Sequence, residues 1–208
     1  MTRPPRPSPV YHLIGLLSWP VIYGLYRYRA LGKEHLPARG GYVLAAGHVS
    51  NLDPWPLGMA LWPGRFLRFM AKSELFWPPL GWLIAGAGAF KVHRGRADRE
   101  AIETAVRLAR DGHVVAMFPE GTRRRKGLRK KWQAAAKTGA ARIALEAGVP
   151  LVPAGIEGTN ALARLGRLTV RYGPPVPLDD LAELEMPEAA RIATDRLMAA
   201  IGELEESL

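Results

Sequence analysis

A histidine and an aspartate stand five positions apart in the stretch Ala45–Pro54. His48 follows an apolar run, Tyr42–Ala46, and one glycine, while Asp53 immediately precedes Pro54. Side chains five apart on one α-helix point roughly 140° away from each other, so these two can meet only across a turn. Because the residue before a proline avoids the α region, we expect Asp53 to be non-helical and to cap a helix that begins at Pro54.

The same two residue types form the base and the orienting acid of many hydroxyl-activating sites. A carboxylate that accepts from one ring nitrogen of His48 fixes the tautomer and leaves the other nitrogen basic. Ser50 lies two residues away, but nothing else marks it as a nucleophile, so the activated hydroxyl would belong to the substrate. Both interpretations stand at this point: a capped turn beside a structural histidine, and a catalytic pair.

Other stretches have the chemistry of an anion site. Phe118–Arg123 ends an apolar run in a glycine turn, and its backbone N–H groups together with the guanidinium of Arg123 suit a phosphate. Arg94 and Lys72 each stand at the end of another predicted strand, from which a basic side chain could reach the same anion. Taken alone, the glycine turn is equally well explained as a capped turn with a solvated arginine, and Arg94 and Lys72 are better explained as surface charges.

An alternation of strands and helices would position these residues. The predicted strands are Tyr42–Ala46, Phe66–Ala71, Ala89–His93, Val114–Phe118, Leu151–Ile156 and Leu168–Tyr172. The predicted helices are Pro54–Trp62, Leu75–Ile84, Asp98–Arg110, Trp132–Glu146 and Pro187–Glu206. This order predicts an α/β fold with a mostly parallel central sheet flanked by helices. Ligands of such sheets bind beyond the carboxyl ends of the strands, so the polar groups should converge on one edge.

The N-terminal segment has a different character. Residues 7–26 contain no Lys, Arg, Asp or Glu, but Pro20 interrupts them and basic residues flank them. Basic flanks with aromatic residues near the far end favour a membrane-associated pair of helices, bent at Pro20, that lies in the interface. A buried helix of a soluble protein remains the alternative.

Charge is unevenly distributed along the 208 residues. From Asp179 onward there are nine acidic and two basic residues, which leaves 27 basic and 10 acidic residues, a net charge of +17, in residues 1–178. This excess of basic residues indicates an anionic partner, such as nucleic acid, a phosphate-bearing molecule or an anionic membrane. The chain has no cysteine, which excludes disulfides, thiolate metal sites and cysteine nucleophiles.

Taken together and in order, four stretches resemble the sequence blocks of the glycerolipid acyltransferases, of the lysophosphatidic acid acyltransferase type. They are His48-x4-Asp53, Phe90–Gly95, Phe118–Arg123 and Val149–Pro153. The resemblance covers roughly residues 30–175, and four blocks in this order at these spacings are highly specific. The N-terminal apolar segment is similar to the membrane-seated helices of bacterial members.

The resemblance implies transfer of a fatty acyl group from an acyl thioester, acyl-ACP or acyl-CoA, to the free hydroxyl of lysophosphatidic acid in phospholipid biosynthesis. His48 would take the proton from that hydroxyl, and Asp53 would orient the imidazole and stabilise its charge. The hydroxyl would attack the thioester directly, with no acyl-enzyme. Apart from the thioester co-substrate no cofactor is expected, and no metal.

Further roles follow from the same resemblance. Gly121, Thr122 and Arg123 would bind the acceptor phosphate, with Lys72 and Arg94 as additional phosphate ligands. Glu120 would support the turn, and Pro150 and Pro153 would shape the acyl channel.

We therefore expect residues 1–29 to form a membrane-associating helical segment. Residues 30–208 would form the acyltransferase domain, with an acidic helical part at 179–208. The expected location is the cytoplasmic face of the cell membrane, as a peripheral or monotopic protein. The expected partners are acyl carrier protein or a coenzyme A thioester, a lysophospholipid and the membrane surface, but not nucleic acid.

Two other functions stay open. Related enzymes acylate other lysolipids. A non-enzymatic protein that binds anionic lipid or nucleic acid would also explain the basic run 123–131, in which seven of nine residues are Arg or Lys.

Overall fold

A computed structural model describes residues 6–92, 99–120 and 136–208. Its centre is a seven-stranded sheet in the order β1-β7-β6-β2-β5-β3-β4. The strands are β1 (Arg29–Leu31), β2 (Tyr42–Ala46), β3 (Leu67–Lys72), β4 (Ala89–Val92), β5 (Val114–Met117), β6 (Leu151–Glu157) and β7 (Thr169–Tyr172). Strands β6, β2, β5, β3 and β4 run parallel, whereas β7 is antiparallel to β6 and pairs in parallel with β1. The predicted mostly parallel α/β sheet is confirmed.

Helices cover both faces of this sheet. The α-helices of the described residues are α1 (Pro9–Pro20), α2 (Pro54–Met59), α3 (Leu80–Gly86), α4 (Arg99–Arg110), α5 (Gly139–Ala147) and α6 (Met186–Glu206). Alternating strand residues divide the interior into two apolar cores. Val43 and Val115 face α4, α5 and α6, and we call this side the α6 face. Leu44 and Val114 face α2 and the N-terminal segment, and we call this side the α2 face.

Several predicted boundaries are wrong, each for a local reason. The helix predicted at Leu75–Ile84 begins only at Leu80, because Pro78 and Pro79 precede it and a proline disfavours the helical conformation in the residue before it. Strand β1 was not predicted, since three residues are too few to show an alternating pattern. Helix α5 begins at Gly139, after the non-helical residues 136–138, and residues 132–135 of the predicted helix lie outside the described part.

The N-terminal segment packs onto the α2 face. Helix α1 ends at Pro20 and passes directly into a π-helical turn, Val21–Leu25, so the predicted break at Pro20 is a change of helix type. Ile22 and Tyr28 are buried in the core of this face. The chain division predicted at residue 29 stays a prediction, but residues before it contribute to the domain's core. In the described residues, no helix combines the length and the apolar character needed to cross a bilayer.

Candidate active site

His48 and Asp53 meet at the carboxyl end of β2. The Nδ1 atom of His48 lies 2.8 Å from Oδ2 of Asp53, across an irregular stretch that begins at Gly47. The His48 side chain is 12% exposed, whereas the Asp53 side chain is fully buried. The turn required between the two residues is therefore present, and the histidine faces solvent while the carboxylate does not.

Asp53 differs from the prediction in conformation. Its φ of −54° and ψ of −36° are helical, so the expectation of a non-helical residue before Pro54 is wrong. Asp53 does occupy the N-cap position of α2, but its side chain makes no capping bond to that helix. The carboxylate turns back instead, and its Oδ2 accepts from the backbone N–H groups of Val49 and Ser50, each at 2.9 Å. These bonds, rather than a cap, hold the turn closed.

The hydrogen bonds assign the proton on His48. Two backbone N–H groups and a hydroxyl donate to the Asp53 carboxylate, so this group acts as an acceptor throughout. Nδ1 of His48 must then be the donor in the bond to Oδ2, which puts the lone pair of the neutral ring on Nε2. The ring of Phe118, just beyond β5, stacks on the imidazole with centroids 4.3 Å apart and planes 23° apart. The histidine is thus held from two sides.

Thr159 completes the surroundings of Asp53, and sequence reasoning missed it. It opens a 3-10 helix, Thr159–Arg164, directly after β6, and its Oγ1 donates to Oδ1 of Asp53 at 2.6 Å. A threonine 106 positions from the aspartate carries no sequence signal of this contact. The one signal in the sequence is its place just beyond the end of a predicted strand, as for the other candidate polar residues.

Tyrosine hydroxyls anchor the short helix that carries Asp53. Tyr28 donates to the carbonyl oxygen of Pro56 at 2.6 Å, and Tyr172 donates to that of Leu57 at 3.0 Å. Burial raises the pKa of both phenols, so both stay protonated donors at any physiological pH. A six-residue helix has little stability of its own, and these bonds fix it to the N-terminal segment and to β7.

A cavity of about 400 Å³ opens beside this pair, on the β6 side. Its walls come from the end of β6, from the 3-10 helix and from Val49, the residue after His48. The lining is mixed in character, with apolar Ile156 and Ala161 and the polar side chains of Glu157, Asn160 and Arg167. The lining includes neither His48 nor Asp53, so the space meets the candidate site at Val49, the residue after His48.

The predicted phosphate ligands are only partly located. Lys72 ends β3 with an exposed side chain, at the same sheet edge as His48 and separated from β2 by β5. Glu120 lies just after β5, next to Pro119, whose carbonyl oxygen accepts from the backbone N–H of Lys137 at 2.8 Å. Gly121, Thr122, Arg123 and Arg94 lie outside the described residues. The phosphate-binding roles stay predictions.

The structure locates both prolines that are assigned to the acyl channel. Pro150 is exposed and precedes β6, so it stands at the opposite edge of the parallel sheet from the end of β2. Pro153 is buried inside β6, opposite Ala45, and its ring lies close to Gly173. The structure does not bring Pro150 to the His48 edge, and an acyl-binding role for either proline stays a prediction. Within the described ranges, no three His, Asp or Glu side chains cluster as metal ligands would.

The comparisons with known proteins agree with this geometry. The acyltransferase family model matches residues 27–157, more than half of the chain. The 1-acyl-sn-glycerol-3-phosphate acyltransferase of Bacillus subtilis (strain 168) is 33% identical over 186 residues, which cover 86% of this chain and 89% of that protein. The alpha form of the enzyme of that name from Bos taurus is 33% identical over 187 residues, 84% of this chain and 62% of that protein.

A solved structure supports the fold. The crystal structure of the 1-acyl-sn-glycerophosphate (LPA) acyltransferase PlsC from Thermotoga maritima superposes with a TM-score of 0.65 at 23% identity, over 94% of this chain and 78% of that one. The chain belongs to the acyltransferase family. The resemblance inferred from the four blocks is therefore confirmed, and the chain is an enzyme of the acyltransferase class.

Proposed function

We propose that this acyltransferase moves a fatty acyl group from an acyl thioester to the free hydroxyl of lysophosphatidic acid, which gives phosphatidic acid. Nε2 of His48 takes the hydroxyl proton as the oxygen attacks the thioester carbon. The C–S bond breaks as the ester C–O bond forms, and the thiol of coenzyme A or of acyl carrier protein leaves with a proton. The buried carboxylate of Asp53 stabilises the imidazolium that forms in between.

The observation that carries this proposal is the His48–Asp53 pair itself. The Asp53 carboxylate is 0% exposed and accepts from four donors of the described residues, one of them Nδ1 of His48, so the basic nitrogen of this partly exposed histidine is Nε2. The names of the relatives support lysophosphatidic acid as the acceptor. The basic groups assigned to the phosphate, Arg123, Arg94 and Lys72, agree with an anionic acceptor. The thioester arm would enter the cavity beside Val49, away from the loop that follows β5.

An assay of purified protein tests the reaction. Three acceptors are incubated with acyl-CoA and with acyl-ACP: lysophosphatidic acid, lysophosphatidylglycerol and phosphate-free monoacylglycerol. Mass spectrometry then measures the products. We expect phosphatidic acid to form fastest, and Arg123→Ala to slow transfer to the phosphate-bearing acceptors more than transfer to monoacylglycerol. If another lysolipid is acylated faster, that lysolipid is the acceptor in place of lysophosphatidic acid. No transfer to any lipid, together with steeply salt-dependent binding to RNA, would overturn the proposal.

We infer in addition that the α2 face rests on a membrane, on the cytoplasmic side. Beyond this face lie large apolar side chains that are more than a third exposed, and we call them the apolar surface: Leu13, Leu16, Leu17, Trp19, Val21, Tyr23, Leu25, Trp77, Trp82 and Leu83. Trp82, in α3, is 74% exposed. Helix α3 adjoins α1, because Ser8 Oγ donates to the carbonyl oxygen of Gly86 at 2.6 Å. Residues 7–26 and 77–89 contain no charged side chain.

Such a surface suits the interface between lipid headgroups and acyl chains. Scattered exposed apolar residues are ordinary, but a contiguous group marks an interaction site. Trp and Tyr concentrate where a membrane meets water, and the basic excess of residues 1–178 favours anionic lipid. Flotation with vesicles of anionic and of neutral lipid tests this location, and we expect stronger binding to the anionic ones. A protein that stays unbound with both would contradict it.

A further inference from the structure

The hydrogen bonds around Asp53 are distributed unequally between its two oxygens. Oδ2 accepts three bonds, from Nδ1 of His48 and from the N–H groups of Val49 and Ser50. Among the residues that the structure describes, Oδ1 accepts its bond from the hydroxyl of Thr159. The last torsion of an aspartate is soft, with a broad distribution of angles. The bond from Thr159 therefore holds Oδ1, the carboxylate oxygen that His48 does not contact, and so helps to fix the plane of the carboxylate.

The backbone around Thr159 has a well-defined conformation. Its side chain is buried, with a relative exposure of 3%. Gly158, just before it, has a φ of +94°, and a Cβ there would lie 2.3 Å from the carbonyl oxygen of Arg167. Only glycine fits that turn, which directs the chain from β6 straight into the 3-10 helix that Thr159 begins. The hydroxyl thus reaches Asp53 from a well-defined backbone.

We propose that Thr159 is a positioning residue for acyl transfer: its hydroxyl orients the Asp53 carboxylate so that Nδ1–H of His48 stays bonded and Nε2 faces the acceptor hydroxyl. This role rests on the proposed function of His48 as the base. Without the hydroxyl, Oδ1 is a buried acceptor that has lost its donor from the described residues. The carboxylate can then turn about Oδ2, which keeps its three donors, and the imidazole bonded to Oδ2 loses its fixed direction. Thr159 is buried and is not part of the lining of the cavity beside Val49, so its role is one of positioning.

Steady-state kinetics of two substitutions test this role. Thr159→Val keeps the size and the β-branched shape but removes the donor, and we expect kcat to fall about 10- to 100-fold while the KM for each substrate stays within about twofold. Thr159→Ser restores the hydroxyl and should keep kcat within about threefold of the wild type. Equal kcat for the wild type and Thr159→Val would overturn the proposal, and so would a Thr159→Ser variant as slow as Thr159→Val.

A matched control comes from α6. Thr194 is also buried, and its Oγ1 donates at 2.7 Å to the carbonyl oxygen of Ala190, on the α6 face. Thr194→Val removes the same kind of bond away from the site, and we expect kcat to stay unchanged. If Thr194→Val slowed the reaction as much as Thr159→Val, the effect would be one of general stability, and the positioning role would be wrong.

A spectroscopic readout separates this role from the reaction itself. The proton on Nδ1 of His48, bonded to a carboxylate, should give a downfield proton resonance that disappears in His48→Asn. We expect Thr159→Val to broaden or shift that resonance, and Thr159→Ser and Thr194→Val to retain it. If Thr159→Val fails to fold, Thr159→Ala replaces it in both measurements. An unchanged resonance would overturn the positioning role, whereas a changed resonance in a protein without acyl transfer would overturn only the proposed function.

Discussion

The two faces of the sheet have similar interiors and opposite exteriors. On the α6 face, helix α4 buries alanines at a helical spacing and exposes charged residues such as Glu103 and Arg107. On the α2 face, α1 exposes Leu13, Leu16 and Leu17, which are also spaced as one helical stripe. Both faces bury apolar residues against the same strands, so the interior alone does not distinguish them. The two faces differ in the side chains that their outer surfaces expose, which are charged on the α6 face and apolar on the α2 face.

The membrane contact proposed for the α2 face would account for that difference. Exposed apolar area costs free energy in water at about 25 cal/mol per Å², so a stripe of leucines and tryptophans persists where something else covers it. The candidate active site belongs to the α2 face, because Asp53 is the N-cap of α2 and Tyr28, just after the N-terminal helices, anchors that helix. The elements that would meet the membrane therefore also hold the acid of the pair.

The largest effect that we expect is on kcat. It distinguishes a substitution at the carboxyl edge of the sheet from the same substitution on the outer surface of the α6 face. Asp53→Asn keeps the shape of the side chain but turns one acceptor oxygen into a donor, which conflicts with donors already present. We expect kcat for acyl transfer to fall about 10³- to 10⁴-fold, as in other base–orienter pairs. Asp195→Asn makes the same change on the exposed side of α6 and should leave kcat unaltered. Comparable losses from both variants would show that the carboxylate at residue 53 has no special role.

Stability tests whether the N-terminal segment belongs to the fold. Ile22 is fully buried on the α2 face, and Leu197 is fully buried on the α6 face. Ile22→Ala and Leu197→Ala should each lower the free energy of unfolding by about 2–5 kcal/mol, measured by chemical denaturation. An Ile22→Ala variant as stable as the wild type would mean that the N-terminal segment is only an anchor. Because Ile22 is a core residue, point substitutions are better than deletion of residues 1–29 for testing membrane binding.

Membrane binding should distinguish the two exteriors directly. The double substitution Leu16→Ser and Leu17→Ser removes two exposed side chains of α1 without touching the core, and we expect the partition coefficient on anionic vesicles to fall about 10- to 100-fold. Leu184→Ser, at an exposed leucine just before α6, is the control and should bind as the wild type does. A double variant that still binds fully would show that the basic groups suffice.

The smallest effect that we expect is on vesicle binding, from a substitution in α3. Trp82→Ala removes the most exposed tryptophan of the apolar surface, and we expect vesicle partitioning to weaken by about threefold to tenfold, with no change in the midpoint of unfolding. Unchanged partitioning would confine the membrane contact to α1 and the π-helical turn.

Much of the architecture was predictable because its signals are local. The runs that form β2 and β6 are continuous and apolar, as buried parallel strands are, and Gly112 and Gly148 end helices where the chain takes a positive φ. The pairing of His48 with Asp53 also followed from short-range reasoning. By contrast, Thr159 reaches Asp53 through the pairing of β6 with β2, which brings together residues 106 positions apart.

The error at Asp53 has a physical cause. Asp53 is helical although a proline follows it, because four hydrogen bonds to its carboxylate outweigh a preference that is only local. The sequence block Val149–Pro153 places Pro150 before β6 and Pro153 inside that strand, so the two prolines lie at different levels of the sheet. Their acyl-binding role stays a prediction.

The most direct test of the proposed chemistry is the rate of phosphatidic acid formation by His48→Ala, with saturating lysophosphatidic acid and acyl thioester. If Nε2 of His48 is the base, kcat should fall at least about 10²- to 10⁴-fold, while the circular dichroism spectrum and vesicle binding remain those of the wild type. A folded His48→Ala variant that forms phosphatidic acid at the wild-type rate would contradict the assignment.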